Sequence, residues 1–226
     1  MFYCAMKLNL LFILLTSGLI QSLAAQTDEG DWMLGGTLNF SINHDSQSEP
    51  TTTNKNLYKY LSYSISPQVG KFVKKDLLVG MNVSYQGYNW TNHLQNTNEL
   101  IFRQKSQTIG IGAITRKYFS ITDKVYFFAQ GNINYFHRNF YEISNQIIGE
   151  RKYNTNGLGI RGYGGISYFP KKWFAIEALI SPISYSYEVS REDQPNVESS
   201  DSRHNFQFGI NTTSIFLGIN FFINKR

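Results

Sequence analysis

Three features of the amino-acid sequence predict an all-β chain, an eight-stranded antiparallel up-and-down transmembrane β-barrel. Apolar and polar residues alternate over long stretches. The connections between those stretches alternate long and short. The final stretch ends on aromatics. It runs from Ser214 to Ile223, with Ile215, Leu217, Ile219, Phe221 and Ile223 on one face of an extended chain and Ser214, Phe216, Gly218, Asn220 and Phe222 on the other. In a membrane such a strand must pair back onto the first, because lipid offers no partner to an open edge.

Composition agrees. Of 226 residues, 15% are aromatic and only 16% charged, against a usual charged share of about 25%. No long apolar run occurs in the body of the chain, which excludes a helical membrane protein. The length suits one domain. The net charge of +5 is spread along the chain, without the basic cluster or motif that a nucleic-acid partner requires. Cys4 is the single cysteine. It lies in a segment expected to be removed, so no disulfide or thiolate metal site is expected.

That segment, residues 1–25, reads as a secretory signal peptide. Lys7 supplies the positive start, Leu8 to Ile20 the apolar run and Ser22-Leu23-Ala24 the small-x-small cleavage site. The run is short for the roughly 20 residues of a helical span. Residues 26–226 are the expected barrel domain.

An acidic spacer, Thr27 to Asp31, precedes the first strand, which opens at Trp32 with Leu34, Leu38, Phe40 and Ile42 on one face. The polar, aperiodic His44 to Asn56 reads as a loop. The second strand spans Tyr58 to Val73, followed by a short turn at Lys74-Lys75-Asp76. The third spans Leu77 to Trp90, followed by a loop from Thr91 to Gln104. The fourth spans Ser106 to Phe119, with a tight turn at Ser120 to Asp123. The fifth spans Val125 to Phe140, followed by a loop from Glu142 to Asn154. The Gly-rich sixth spans Thr155 to Phe169, with a turn at Pro170-Lys171-Lys172. A phosphate-cradling reading of its glycines lacks the strand-turn-helix context. The seventh spans Trp173 to Val189, with a polar loop from Ser190 to Arg203, and the eighth ends at Ile223. Alternation slips phase near Ser181-Pro182 and again within Asn211 to Ser214, which predicts two bulges. Connections running long, short, long, short, long, short, long place both termini on the periplasmic side.

Aromatics collect near the strand ends. Phe72, Phe119, Phe127, Phe169, Trp173, Phe174 and Phe221 lie by the short turns. Tyr58, Tyr60, Tyr88, Trp90, Phe140, Tyr141, Tyr153, Tyr187 and Phe206 lie by the long loops. They read as two interfacial girdles.

The alternating strands, the opening Trp32-Met33-Leu34-Gly35-Gly36 and the Gly- and aromatic-containing last strand resemble the small outer-membrane β-barrel family of Gram-negative bacteria. The likeness is to the OmpA/OmpX-like eight-stranded type and the porin-family barrel domains. It implies a monomer in the outer membrane and partnership with the lipid bilayer. It also implies periplasmic chaperones and the barrel assembly machinery during biogenesis. In that family the last strand is read by the machinery, which assigns an assembly signal to Gly218, Phe221 and Phe222. Here Phe222 is followed by four more residues, Ile223 to Arg226, a departure from the usual terminal aromatic.

Inward-facing charges are the candidate site. Alternation points Arg116, Arg161 and Glu177 into the barrel, where a charge must be paired or wet. The expected arrangement is a structural plug, with Glu177 bridging Arg116 or Arg161 and Gln68, Gln130 and Asn132 assisting. The sharper alternatives are a narrow porin-like channel and a membrane-embedded lipid-modifying enzyme. For the latter, His44-Asp45-Ser46 has the residue types but not the geometry of a triad, and His137 reads as interfacial. A soluble lipocalin-like binder would need the opposite face inward. No catalytic residue, metal site or cofactor is expected. The functional reading is a side-chain-filled barrel with a structural role, or one in surface interaction through external loops that take an unspecified ligand.

Overall fold

The computed structural model describes residues 27–48, 55–94, 99–144, 149–192, 200–209 and 215–223. The expected signal peptide lies outside the described residues, as does the expected bulge at Asn211 to Ser214. The described residues form nine strands: β1 (Trp32–Ser48), β2 (Lys55–Lys74), β3 (Leu77–Leu94), β4 (Leu100–Ser120), β5 (Val125–Ser144), β6 (Gly149–Lys171), β7 (Phe174–Glu192), β8 (Ser200–Phe208) and β9 (Phe216–Ile223). All pairings are antiparallel between neighbours in sequence, except that β9 joins β7 to β1. The sheet thereby closes in a ring of eight strands.

The expected eighth strand is thus two strands. Its last part, β9, pairs with β1 from Trp32↔Ile223 to Leu38↔Leu217 and with β7 from Phe174↔Phe221 to Leu179↔Phe216. Its first part, β8, lies higher on β7, from Ile183↔Phe208 to Arg191↔Ser200. The changeover falls at Pro182, which has no N–H to give to a ladder. There two β7 residues stand against the single Tyr163 of β6, between Gly162↔Ile183 and Gly164↔Ile180. This is the bulge expected at Ser181-Pro182.

The strands exceed their predicted lengths at the long-loop end. β1 runs on to Ser48, β3 to Leu94, β5 to Ser144 and β7 to Glu192, and β4 and β6 begin at Leu100 and Gly149. The sequence shows no alternation there because both faces are wet, and backbone pairing does not require any. At about 3.3 Å per residue and a tilt near 40°, the 21 residues of β4 rise about 50 Å. That is twice the roughly 25 Å apolar band of a membrane barrel.

The outer face carries the predicted apolar positions. Leu34, Ile65, Val83, Ile111, Ile133, Leu158, Ile176 and Leu217 are all exposed. The inner face is not uniformly polar. At the short-turn end it holds a core of Met33, Phe72, Leu78, Ile114, Tyr118, Phe128, Phe169, Leu179 and Phe222. This corrects the girdle assignment, because position along a strand does not give the face. Phe72 and Phe169 point inward, and so do Tyr58, Tyr60, Tyr88, Trp90, Phe140 and Tyr153, which continue the alternation set by buried Gln68, Asn82, Gln130 and Ser167 on their strands. Several of these rings pack on one another, Tyr58 stacked on Trp90 at 6.2 Å and Phe140 tilted against Tyr153 at 5.9 Å. The exposed outer rings include Trp32, Phe119, Phe127, Tyr168, Trp173 and Phe221 at one end and Tyr63, Tyr85, Tyr135, Tyr185, Tyr187 and Phe206 at the other.

Thr27 to Asp31 is more than a spacer. Gly30 N–H donates to Phe72 O at 2.8 Å, Phe72 N–H to Asp31 O at 2.9 Å and Asp76 N–H to Thr27 O at 2.8 Å. The Thr27 hydroxyl donates to Asp76 Oδ1 at 2.6 Å. Asp76 holds the turn in the left-handed region at φ 62°, a conformation that Asp adopts more readily than most residues.

Candidate functional site

Arg116 sits on the inner face of β4 between Ile114 and Tyr118. Glu177 sits on the inner face of β7 between Ala175 and Leu179. The two strands lie three apart round the ring, and both side chains are fully buried. Arg116 Nη1 donates to Glu177 Oε1 and Oε2, each at 2.8 Å, and to the Tyr118 hydroxyl at 2.8 Å. Arg116 Nε donates to Gln130 Oε1 at 2.6 Å. The hydroxyls of Tyr118 and Ser167 donate to Glu177 Oε1 at 3.3 and 3.1 Å. The Phe128 ring lies 4.3 Å from the guanidinium carbon, in cation–π geometry.

Gly218 makes room for this pair. It is the β9 partner of Glu177, and a Cβ there would stand 3.3 Å from Glu177 Cβ and 3.4 Å from Gly36 O. The expected assembly signal divides across the sheet. Phe222 is buried inside against Phe169 and Phe72, with ring centroids 4.9 and 6.2 Å away. Phe221 is outside, stacked on Trp173 at 6.1 Å. Truncating Phe222→Ala is therefore expected to cost about 3–5 kcal/mol of folded-state stability, and Phe221→Ala much less. Urea unfolding of the two purified variants in detergent checks this, and equal losses would contradict the inside–outside division.

The structure brings Arg116 and Glu177 together and leaves Arg161 apart. Arg161 pairs in register with Ser184, whereas Glu177 pairs with Ser167, six positions lower on β6. Arg161 faces the interior on the expected side but is exposed there. It makes no ion pair among the described residues. Of the expected helpers, Gln130 reaches both Arg116 and Asn132 Oδ1, while Gln68 donates to Asn220 Oδ1 at 3.2 Å.

Above this amide layer the interior opens. A polar cavity of about 340 Å³ reaches up past Asn134 and Arg161. A second space of about 620 Å³ lies at the top, beside Tyr88, Phe140 and Tyr153. Between them Arg138 Nη1 meets Glu188 Oε2 at 3.0 Å. Sequence reading missed this upper pair. Its signal was present, since Glu188 falls inward once alternation is carried through the Pro182 phase slip. His137 is on the outer face against Asn156 and Asn139, and His204 against Tyr185. The side chains of His44, Asp45 and Ser46 lie outside the described ones.

The arrangement can therefore do two things chemically. The lower pair braces opposite walls and fills the bore without net charge. The upper interior presents hydroxyl, amide and aromatic groups to solvent.

No family model matches the chain, and no curated protein matches it in sequence. Among solved structures, the outer membrane protein OprG from Pseudomonas aeruginosa is similar, with TM-score 0.51, 11% identity, and coverage of 88% of this chain and 98% of that one. At that identity the likeness concerns the fold alone, and the closed antiparallel sheet described above is the fold of a small outer-membrane β-barrel.

Proposed function

We propose that the chain is an integral outer-membrane β-barrel of the eight-stranded OmpA/OmpX-like type. On this reading it is a monomer, closed near its periplasmic end, with a structural or surface-interaction role carried by the part that rises above the outer leaflet. The buried Arg116–Glu177 brace within its aromatic surround carries this reading. An unpaired charge there would be expensive, and the brace together with Tyr118, Phe128, Phe72 and Phe222 occupies the bore. The apolar outer belt supports lipid contact, since an exposed apolar surface of this extent needs a non-aqueous partner. It weighs against a lipocalin-like soluble binder, whose apolar face turns inward. Gly218, Phe221 and Phe222 are the part of the last strand offered to the assembly machinery.

The folded chain in a planar bilayer is expected to pass no sustained current. A steady conductance from the intact protein would sink the closed-bore reading in favour of a narrow channel. Membrane residence has its own test. The chain is expected to resist alkaline carbonate extraction and to migrate differently on gels before and after boiling. A chain that stays soluble without detergent would overturn it.

A further inference from the structure

Among the described residues, Arg116 and Arg138 inside the ring are ion-paired, while several cations of the outer wall form no ion pair. Asn89, Lys105, Tyr141 and Lys152 are register partners across β3, β4, β5 and β6, and so form one row on the outer face. The adjacent row, nearer the apolar belt, is Gln107, Asn139 and Asn154, and it ends on Arg191 of β7. The two rows, Arg191 excepted, line a surface groove of about 570 Å³, with Tyr63 at its β2 side and Arg191 outside its lining. Lys105, Lys152 and Arg191 are exposed. None of the three makes an ion pair among the described residues. Lys152 Nζ lies 5.9 Å from the Tyr141 ring centroid. One row further out are Arg103 and the acid Glu150. Two rows in the other direction the wall becomes Val83, Ile111, Tyr135 and Leu158, all exposed and apolar.

The groove therefore lies where the apolar belt gives way to polar wall, above the Tyr63, Tyr85 and Tyr135 ring. Three ligand features follow from its chemistry. Clustered lysines and arginines take phosphate oxygens. Carboxamides exchange hydrogen bonds with hydroxyls. The apolar wall, which begins two rows below across the mixed row of Tyr85, Ile109, His137 and Asn156, takes hydrocarbon. We propose that this groove binds a phosphorylated saccharide headgroup of an outer-leaflet glycolipid, whose acyl chains run down past Ile111 and Leu158. Continuity with the belt selects a lipid over a soluble phosphosugar. The proposal rests on the outer-membrane reading above.

The test uses the full folded chain in a neutral detergent and diphosphoryl lipid A as the probe, with binding followed by native mass spectrometry and titration. The chain is expected to bind diphosphoryl lipid A in preference to phosphatidylglycerol, with affinity that falls as salt rises. Lys105→Gln with Lys152→Gln is expected to weaken binding about tenfold or more. Lys74→Gln with Lys75→Gln, at the opposite rim, is expected to leave it unchanged. Equal binding of phosphatidylglycerol, or no loss in the Lys105/Lys152 variant, would overturn the site. Equal affinity for glucosamine 6-phosphate would overturn the lipid assignment. Heat-modifiable migration of each variant shows separately that it is a folded barrel, so failure of the membrane reading is distinguishable from failure of the groove.

Discussion

Replacing Glu177 by Gln is expected to destabilise the folded form by about 3–5 kcal/mol, because it leaves the Arg116 guanidinium buried without its counter-charge. Arg116 has no route to water, its side chain being 0% exposed. Tyr118, Gln130 and Phe128 can retain it, but none carries negative charge. The expected readout is a large fall in the urea midpoint at which the heat-modifiable band disappears. Replacing both partners, as Arg116→Met with Glu177→Leu, is expected to recover most of the loss. Burying two apolar groups avoids the desolvation that each charge incurs. If Glu177→Gln shifts the midpoint no more than the exposed Glu150→Gln does, the brace carries little of the stability.

The second large effect is expected at the ring's closing ladder. Gly35 faces inward on β1 opposite Asn220 of β9. A Cβ at Gly35 would collide with Asn220 Oδ1 and the carbonyl oxygen of Ile219, and would stand 2.7 Å from Asn220 Cα. The obstacle is backbone of the partner strand, so no side-chain rotation relieves it. Gly35→Val should push β1 and β9 apart along the only ladder joining them. The expected cost exceeds the roughly 1–3 kcal/mol of ordinary overpacking, and the heat-modifiable form should be largely lost. Gly131→Ala is the matched control, since a Cβ there meets only Thr115 Cγ2 at 3.6 Å. Equal refolding yields from the two variants would show that the close β1–β9 approach is dispensable.

The sequence was most legible where the environment is most demanding. Outward positions such as Leu34, Ile111 and Leu158 must be apolar across the whole belt, so their period of two survives intact. It was less legible above the belt, where Asn92 or Asn154 can sit on a paired strand without any pattern, and the strand ends were read as loops. Arg116 and Glu177 were readable as inward charges because β4 keeps its phase throughout and β7 keeps its phase below Pro182. Glu188 needs the count carried through the slip at Pro182, which the outward Ile183, Tyr185 and Tyr187 make possible. For Arg161 alternation gave the inner side, and left open whether it or Arg116 stood level with Glu177. Parity gives a face, and only the register between strands gives a height. The inward turn of Tyr88, Trp90 and Phe140 was hidden for a related reason, as an aromatic near a strand end satisfies a girdle and a lumen wall equally.

The closing pairing also sets an order of events. Each of β1 to β7 finds its neighbour through a local hairpin, so those ladders require only short loops to close. Trp32 and Ile223, by contrast, meet from opposite ends of the described chain, the most entropically distant encounter in the fold. Until it happens, the growing sheet has two raw margins, β1 on one side and the lower half of β7 on the other. β8 shields only the upper half of β7. The window between the first hairpin and the last encounter is therefore the period in which this chain is most prone to join a stranger's strand, and its length is set by how soon β9 arrives.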